Sequence, residues 1–161
     1  MNKSYPQKNK KEALYQLMRL CSRQEKCTYD IRKKLEEWKL PEEDTAQIVN
    51  QLKEEKFLDD ERYTRFFVRD KFTLNKWGRQ KIRYMLLARH IDSRIIEDAL
   101  AQLSEEEYQR ILTGELRKKR KQLTGNNHFQ LRAKLFNFAT QRGFEADLVY
   151  KTIDLILNSD N

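Results

Sequence analysis

Residues that interrupt regular structure are scarce in this sequence. Among 161 residues there are four glycines and two prolines, which leaves few obvious turns. Leu, Lys, Glu, Arg and Gln are abundant, and this combination favours long helices with short connections over a sheet protein. The sequence therefore predicts an all-α fold.

Long apolar runs are also missing. No stretch of about 18 apolar residues occurs, and the N-terminal segment up to Leu14 lacks the apolar core of a secretory signal. We therefore expect a soluble, cytoplasmic protein with no membrane partner.

The usual signatures of an active site are absent. The two cysteines and the two histidines are far apart in sequence, so no zinc-binding spacing is present. There is no Gly-rich phosphate loop, nucleophile elbow or helical metal-binding motif. Asp59, Asp60 and Glu61 form an acidic cluster, but helix capping explains this cluster better than metal binding. We expect a protein that is not an enzyme and that uses no metal or cofactor.

Apolar residues recur at helical spacing along the whole chain. The first stripe, Leu14, Leu17, Met18 and Cys21, has the i, i+3, i+4, i+7 spacing of an amphipathic helix. It predicts that Cys21 is a core residue rather than a reactive thiol. Eight further segments have comparable patterns, so the sequence predicts nine helices.

Capping residues predict several helix boundaries. Thr28 is a candidate N-cap of the second helix, and Asp59 and Asp60 are candidates for the fourth. Ser104, with a glutamate three residues later, has the capping-box pattern for the seventh helix. Residues 124–127, Thr-Gly-Asn-Asn, are the best loop signal in the chain.

The helices form an internal repeat. Leu40, Ile91 and Phe144 are separated by 51 and then 53 residues, and each follows apolar anchors nine and five residues earlier. Those anchors are Ile31 and Leu35, Ile82 and Leu86, and Leu135 and Ala139. Each unit would be a three-helix bundle that buries little surface alone. We predict a flexible tail at 1–10 and three-helix repeats at 11–57, 58–103 and 104–157.

The corner before the third helix of each repeat has a backbone requirement. Gly143 stands where a left-handed residue ends a helix, and glycine adopts that conformation without steric cost. The repeat aligns Lys39 and His90 with this glycine. His90 is therefore predicted to be a surface or capping residue rather than a catalytic one.

Positive charge dominates the chain. The net charge is +8 and the pI is near 9.4, which suits a partner that carries phosphates or an acidic protein surface. Residues 36–61 contain ten acids and three bases, whereas residues 62–94 contain ten bases and two acids. Residues 117–142 contain eight bases and no acid. The run 117–121 is either a solvated helix end or part of a basic stripe across the second and third repeats.

Aromatic residues interleave with the central basic segment: Phe66, Phe67, Phe72, Trp77 and Tyr84. Such a pattern is compatible with base stacking on single-stranded nucleic acid. A core role is favoured for Phe66 and Phe67, which lie on the apolar stripe of the fourth helix. Packing and stacking remain alternatives for Trp77 and Tyr84, because their neighbours are polar.

The central segment resembles the RecX family of bacterial recombination regulators. The matching pieces are Phe57-Leu58-Asp59-Asp60, Tyr63, Val68-Arg69, Gly78 followed by Lys81-Ile82, Leu86 and the corner Arg89-His90-Ile91. The stretch SRQEKCTYDIRKKLEEWKL and Arg142-Gly143-Phe144 also resemble family features. The chain departs from the family pattern at Arg79, Met85 and His90, where proline, glutamate and glycine are usual.

This resemblance implies a non-enzymatic regulator that binds the RecA filament on DNA and lies in its helical groove. It implies inhibition of the recombinase and coprotease activities, with effects on DNA repair and the SOS response. It also implies that three tandem three-helix repeats form an elongated, curved molecule. We expect the chain to act as a monomer.

The predicted contact residues for the filament and for DNA phosphates are Arg69, Lys76, Arg79, Arg83, Lys118, Lys119 and Arg120. Their cationic heads can reach phosphates or carboxylates while their stems pack on a helix. The acidic first repeat either contacts a basic patch of the recombinase or keeps DNA away. The alternative function is a stand-alone helical DNA-binding protein that places one helix in a groove.

Overall fold

The computed structural model describes residues 8–159, and the regular elements in that range are nine α-helices. They are α1 (Lys10–Arg23), α2 (Thr28–Glu37), α3 (Glu42–Glu54), α4 (Asp60–Thr73), α5 (Arg79–Leu87), α6 (Ser93–Leu100), α7 (Glu105–Gln122), α8 (His128–Gln141) and α9 (Ala146–Asn158). The all-α prediction is confirmed. Most of the predicted tail, residues 1–7, lies outside the described residues, and Lys10 already begins α1.

Side-chain caps begin several of these helices. The Asp59 carboxylate accepts a bond from the backbone N–H of Arg62 at 3.0 Å, and the Ser104 hydroxyl accepts one from Glu107 at 3.3 Å. Both caps were predicted from the sequence and are confirmed. Asn127 forms a capping box at the start of α8, directly after the predicted loop.

The predicted N-cap at Thr28 is wrong. The cap position is Cys27, which makes no side-chain cap bond, and Thr28 is the first residue of α2. The backbone N–H and the hydroxyl of Thr28 both donate to Asp60 Oδ1, at 2.7 and 3.1 Å. Asp60, the first residue of α4, therefore satisfies a free N–H of α2 that a local cap would otherwise serve.

The three predicted corners share a left-handed backbone. The φ angles are 60° at Lys39, 55° at His90 and 97° at Gly143. After Lys39 and after Gly143, the next backbone N–H bonds to the carbonyl five residues earlier, at 3.1 and 3.2 Å. The left-handed backbone at three equivalent positions confirms the tandem-repeat organisation, and His90 is exposed, as predicted for a surface or capping residue.

The chain divides into two compact units. Unit 1 contains the described residues up to Phe66 together with Arg89–Ile91. Here α3 packs against both α1 and α2. The core contains Ala13, Leu17, Cys21, Ile31, Leu35, Trp38, Ile48, Val49, Leu52 and Leu58, so the core role predicted for Cys21 is confirmed.

Unit 2 contains 67–88 and the described residues from Asp92 onward. Within it α7, α8 and α9 contact one another pairwise, and α5 contacts α6. Tyr108, Leu112 and Leu116 bury one face of α7, and Leu135 and Val149 are fully buried opposite them. The two units divide the second repeat between them, so the repeat boundaries 11–57, 58–103 and 104–157 remain a proposal.

Two glycines touch where α5 begins in unit 2. Gly78 N–H donates to the Arg142 carbonyl at 2.8 Å, and Gln80 N–H donates to the Gly143 carbonyl at 2.9 Å. A Cβ at Gly78 would lie 2.4 Å from backbone atoms of Gly143 and Phe144. The α8–α9 corner thus supplies acceptors to the first turn of α5, and only a glycine lets the two backbones approach this closely.

The core role predicted for Phe66 is wrong, because 46% of Phe66 is exposed. The buried stripe of α4 contains Tyr63, Thr64, Val68 and Phe72. At about 100° per residue Phe66 lies roughly 160° around the helix from Thr64 and Val68. Phe67, on the same predicted stripe, is half-buried.

Candidate partner and nucleic-acid interface

The C-terminal end of α7 presents the predicted cations Lys118, Lys119 and Arg120. The helix begins with Glu105, Glu106 and Glu107 and ends with basic residues, an order that matches its dipole. The Lys118 side chain is 76% exposed, and its ammonium is 3.8 Å from Glu115. The Lys119 ammonium lies 5.4 Å from the centroid of the Phe138 ring, and Arg120 is half-buried. Lys118 is therefore the most accessible of these three.

Arg79 is held inside unit 2 by several groups. One guanidinium nitrogen bonds to Glu145 Oε2 at 2.7 Å, and another bonds to Glu105. The guanidinium carbon is 3.8 Å from the centroid of the Tyr108 ring. The side chain is 16% exposed. Burial alone would lower the pKa of Arg79, but the bonds to Glu105 and Glu145 raise it above its usual value.

Tyr108 links this cluster to the backbone. Its hydroxyl donates to Glu145 Oε1 at 2.5 Å and accepts the N–H of Arg79 at 3.0 Å. Burial and the bond to Glu145 raise the pKa of Tyr108. The hydroxyl is a neutral donor in this cluster, which is typical of a structural network.

Arg83, one turn along α5, makes a two-pronged pair with Glu97. The two nitrogen to oxygen distances are 2.6 and 3.1 Å, and a third nitrogen bonds to Gln80. The bond to Glu97 raises the pKa of Arg83, and the same bond lowers the pKa of Glu97. The positive charge of Arg83 is therefore already compensated by Glu97 within unit 2.

Unlike Arg79 and Arg83, Arg69 and Lys76 have no carboxylate partner among the described residues. Arg69 is an exposed residue of α4, and its side chain has no ion-pair partner among the described residues. Lys76 follows α4 with a positive φ of 57°, and its ammonium donates to the carbonyl of Thr73 at 2.6 Å. Because neither side chain is paired with a carboxylate, the Arg69 guanidinium and the Lys76 ammonium can both still reach a phosphate.

The predicted cations do not gather at one point. Arg79 bonds to Glu105 at the first turn of α7, whereas Lys118 lies thirteen residues further along the same helix. At 1.5 Å per residue, the two ends are about 20 Å apart. The structure thus brings Lys118, Lys119 and Arg120 together and places Arg79 and Arg83 elsewhere; their role in binding stays a prediction.

An aromatic groove in unit 2 was not predicted from the sequence. It has a volume of about 280 Å³ and lies between α8 and α9, lined by Phe129, Phe136 and Tyr150 with Arg132 and Ile153 nearby. Phe129 is 80% exposed. The sequence did contain a signal, because Phe129 lies two positions before Leu131 and therefore on a different face from the apolar stripe of α8.

Two of the central aromatic residues, Phe72 and Trp77, are poorly placed for stacking on a base. Phe72 is buried, with its ring 5.7 Å from that of Tyr108. Trp77 is half-buried between the ammonium groups of Lys71 and Lys81, at 5.0 and 4.3 Å. Tyr84 is 72% exposed on α5, so a packing role is excluded for it and a stacking role stays a prediction.

Unit 1 contains a second cavity, of about 450 Å³, beside His90 and Tyr29. The two rings are 5.1 Å apart. Its cations face acids of the same unit: Arg32 pairs with Glu42 at 2.8 Å, and Arg89 lies 3.7 Å from Asp30. The charges that line this cavity largely compensate one another, so it is a weaker anion site than the end of α7.

Reactive groups are poorly placed for chemistry. Burial raises the pKa of the Cys27 thiol to about 12 and also raises the pKa of the Cys21 thiol, so both disfavour the reactive thiolate. Among residues 8–159 no group of three His, Cys, Asp or Glu side chains is arranged to hold a metal ion. None of the helices in that range is both long and apolar enough to cross a bilayer.

Comparison with known proteins identifies related domains in the chain. A family model described as the second three-helix domain of RecX matches residues 59–100, and one for the third three-helix domain of RecX matches residues 105–153. Both lie in the part of the chain where the basic residues and the aromatic groove are found.

Relatives match most of the chain. A regulatory protein RecX from Caldanaerobacter subterraneus is 30% identical over 90% of this chain and 71% of the relative. Another, from Chlorobium phaeobacteroides, is 28% identical over 92% of this chain and 96% of the relative. A crystal structure of a regulatory protein RecX superimposes with a TM-score of 0.82 at 25% identity, covering 90% of this chain and 71% of the other. With the repeated left-handed corners and the matched domains, these similarities show that the chain belongs to the RecX family of regulatory proteins.

Proposed function

We propose that this protein is a non-enzymatic regulator of the RecA recombinase. It binds the RecA filament on DNA as a monomer and inhibits the recombinase and coprotease activities, and in this way affects DNA repair and the SOS response. The place of action is the bacterial cytoplasm, where the DNA is found. Family membership supports the regulatory role, and the charge of unit 2 supports contact with DNA or with an acidic surface of the filament.

The basic end of α7 is the observation that carries the proposal. Residues 117–142 contain eight bases and no acid, and Lys118 is largely exposed at the end of α7. The dipole of α7 favours cations in its last turn, where Lys119, Arg120 and Lys121 lie. The basic run extends beyond that turn to five consecutive cations, 117–121, which match a partner that carries several negative charges.

The predicted contact residues have unequal roles in this proposal. Arg69, Lys76, Lys118, Lys119 and Arg120 are proposed to contact phosphates or carboxylates directly. Arg79 and Arg83 are proposed to contribute by exchanging their present partners, Glu145 and Glu97, for groups of the filament. Such an exchange gains less free energy than a contact made by a cation such as Arg69, which has no ion-pair partner among the described residues, because one ion pair is lost for each one formed.

A charge-removal variant tests the α7 contact. Lys118→Gln with Lys121→Gln removes two exposed cations three residues apart on α7 and keeps residues that favour helix. Two exposed contacts of roughly 0.5–1 kcal/mol each predict that half-inhibition of RecA strand exchange needs about 5- to 30-fold more protein. The measurement is a strand-exchange titration with a preformed filament.

The matched control is Lys11→Gln with Lys53→Gln. Both residues are exposed in unit 1, and the net charge changes by the same amount. This control should inhibit strand exchange as the unmodified chain does. Equal inhibition by all three proteins would exclude the end of α7 from the contact, and equal weakening in both variants would mean that net charge alone matters.

A further inference from the structure

Three aromatic rings form the groove between α8 and α9. The Phe136 and Tyr150 rings are stacked, with centroids 4.3 Å apart and planes 23° from parallel. Tyr150 is 51% exposed and Phe129 is 80% exposed. The Phe129 ring makes no ring contact with any other described residue. Single exposed apolar residues are ordinary, but adjoining aromatic faces around one groove indicate a binding surface.

The Phe129 side chain is not needed for the core of unit 2. Leu135 and Ala139 bury the inner face of α8, and Phe129 lies at its second residue, beyond that face. Polar residues flank Phe129 on both sides, His128 and Gln130, and both are exposed. The fold therefore accommodates a large apolar ring in water without gaining core packing from it.

Basic residues lie at the end of the helical bundle where Phe129 is found. A five-residue connection joins the end of α7 to the start of α8, so Lys118 and Lys121 lie at the same end of the helical bundle as Phe129. Arg132, the charged residue that lines the groove, is paired with Asp154 at 2.5 Å. Lys134 donates to Asn126, a neutral partner, at 2.8 Å.

Flat rings beside cations suit one chemical class of ligand. Unpaired bases offer π faces to aromatic side chains, and their backbone offers phosphates to lysine and arginine. In a duplex the base faces are covered by their neighbours, so rings cannot stack on them without unstacking the helix. An acidic protein surface would also pair with the cations, but it would pack apolar side chains on the rings and would not require a flat ring face.

We propose that Phe129 and Tyr150 form a base-stacking site for single-stranded nucleic acid, with the cations at the end of α7 holding the backbone phosphates. The Phe129 ring takes one base, and the outer face of the Phe136 and Tyr150 stack takes another. This inference deepens the proposed function and rests on it, because it names the nucleic acid that the basic end of α7 contacts.

The test uses the full chain and a fluorescein-labelled oligothymidine of about 16 nucleotides, the upper range for one small binding site. Stacking predicts that Phe129→Ala and Tyr150→Ala each weaken binding by about 5- to 100-fold. Phe129→Trp should bind as the unmodified chain does, because it keeps a flat ring. Phe129→Leu should bind as weakly as Phe129→Ala, because leucine keeps the apolar contact but has no ring face.

Tyr15→Ala is the matched control, since Tyr15 is an aromatic residue 62% exposed on α1 in unit 1. It should leave oligothymidine affinity unchanged. Duplex DNA of the same length should bind Phe129→Ala and the unmodified chain equally. Far-ultraviolet circular dichroism should show equal helix content in all variants, because the substituted side chains are exposed.

Several results would overturn the stacking site. Full affinity of Phe129→Leu for oligothymidine would show that an apolar contact suffices. An equal loss of affinity of Phe129→Ala for duplex DNA would show that the site does not bind unpaired bases. A loss of affinity in Tyr15→Ala would show that exposed aromatic residues contribute wherever they lie on the surface. Lys118→Gln with Lys121→Gln tests the proposed function separately, since it should weaken single-stranded and duplex binding alike while Phe129→Ala weakens only the former.

Discussion

At the scale of single residues, Arg79 shows how a cation can be used by the fold instead of by a partner. Its guanidinium joins α5 to Glu105 at the start of α7 and to Glu145, the N-cap of α9, while it lies over the Tyr108 ring. Charge-assisted bonds of this kind are stronger than neutral ones. Arg79 is therefore predicted to stabilise unit 2 in addition to any contact with a filament.

Replacing Arg79 tests that role directly. Arg79→Ala leaves the half-buried Glu145 carboxylate and the buried Tyr108 ring without their cation, and should lower the free energy of unfolding by about 1–3 kcal/mol. Arg83→Ala breaks a more exposed pair and should cost less than about 1 kcal/mol. Urea titrations followed by circular dichroism measure both. A midpoint for Arg79→Ala equal to that of the unmodified chain would mean that the network adds no net stability.

At the scale of helices, the joint between α5 and the α8–α9 corner depends on two glycines. Gly78 has an ordinary φ of −81°, so its requirement is for space alone. Gly143 requires both space and a left-handed backbone, because a Cβ there would lie 2.4 Å from Lys81 Cβ and φ is 97°. The neighbours of Gly78 are backbone atoms, which cannot move aside as a flexible side chain can.

Three alanine substitutions separate these requirements from ordinary helix propensity. Gly78→Ala and Gly143→Ala should each lower the free energy of unfolding by about 2–4 kcal/mol, through overpacking and, at Gly143, strained backbone. Gly114→Ala is the control, because no atom lies within 4 Å of its would-be Cβ in α7. It should raise stability by about 1 kcal/mol. A shift of Gly78→Ala in the same direction as Gly114→Ala would contradict the close approach.

Features that depend on neighbouring residues could be predicted from the sequence. The caps at Asp59 and Ser104 and the left-handed Gly143 follow from residues within one turn. Thr28 failed as a cap because its partner, Asp60, is 32 residues away in the sequence. The core role predicted for Phe66 was wrong because the sequence shows which residues are apolar but not which face of α4 is buried.

For the candidate interface, too, the sequence indicates local features but not contacts between residues far apart in the chain. Sequence charge located the basic end of α7, but it could not show that Arg79 meets acids 26 and 66 residues away. Nor did it show that Phe129 and Tyr150, on different helices, border one groove. Long-range pairing decides which cations remain available, and a linear count of charges contains no information about it.

At the scale of the whole molecule, a net charge of +8 favours electrostatic attraction to nucleic acid. Two functions remain to be separated by experiment: a regulator that recognises RecA together with DNA, and a stand-alone DNA-binding protein that needs no RecA. Both use the cations at the end of α7. They differ in how much of the binding free energy is sequence-independent attraction to phosphates.

A salt titration with and without RecA distinguishes these functions. If the five cations of 117–121 all contact phosphates, the logarithm of the affinity for bare single-stranded DNA should fall with the logarithm of salt concentration at a slope of roughly −3.5. A regulator gains protein contacts on the filament, so its filament affinity should exceed that for bare DNA and should fall less steeply with salt. The difference should widen as salt rises, because contacts between packed protein surfaces are screened less than exposed phosphate contacts. Equal affinities and equal slopes on bare DNA and on the filament would favour the stand-alone DNA-binding protein.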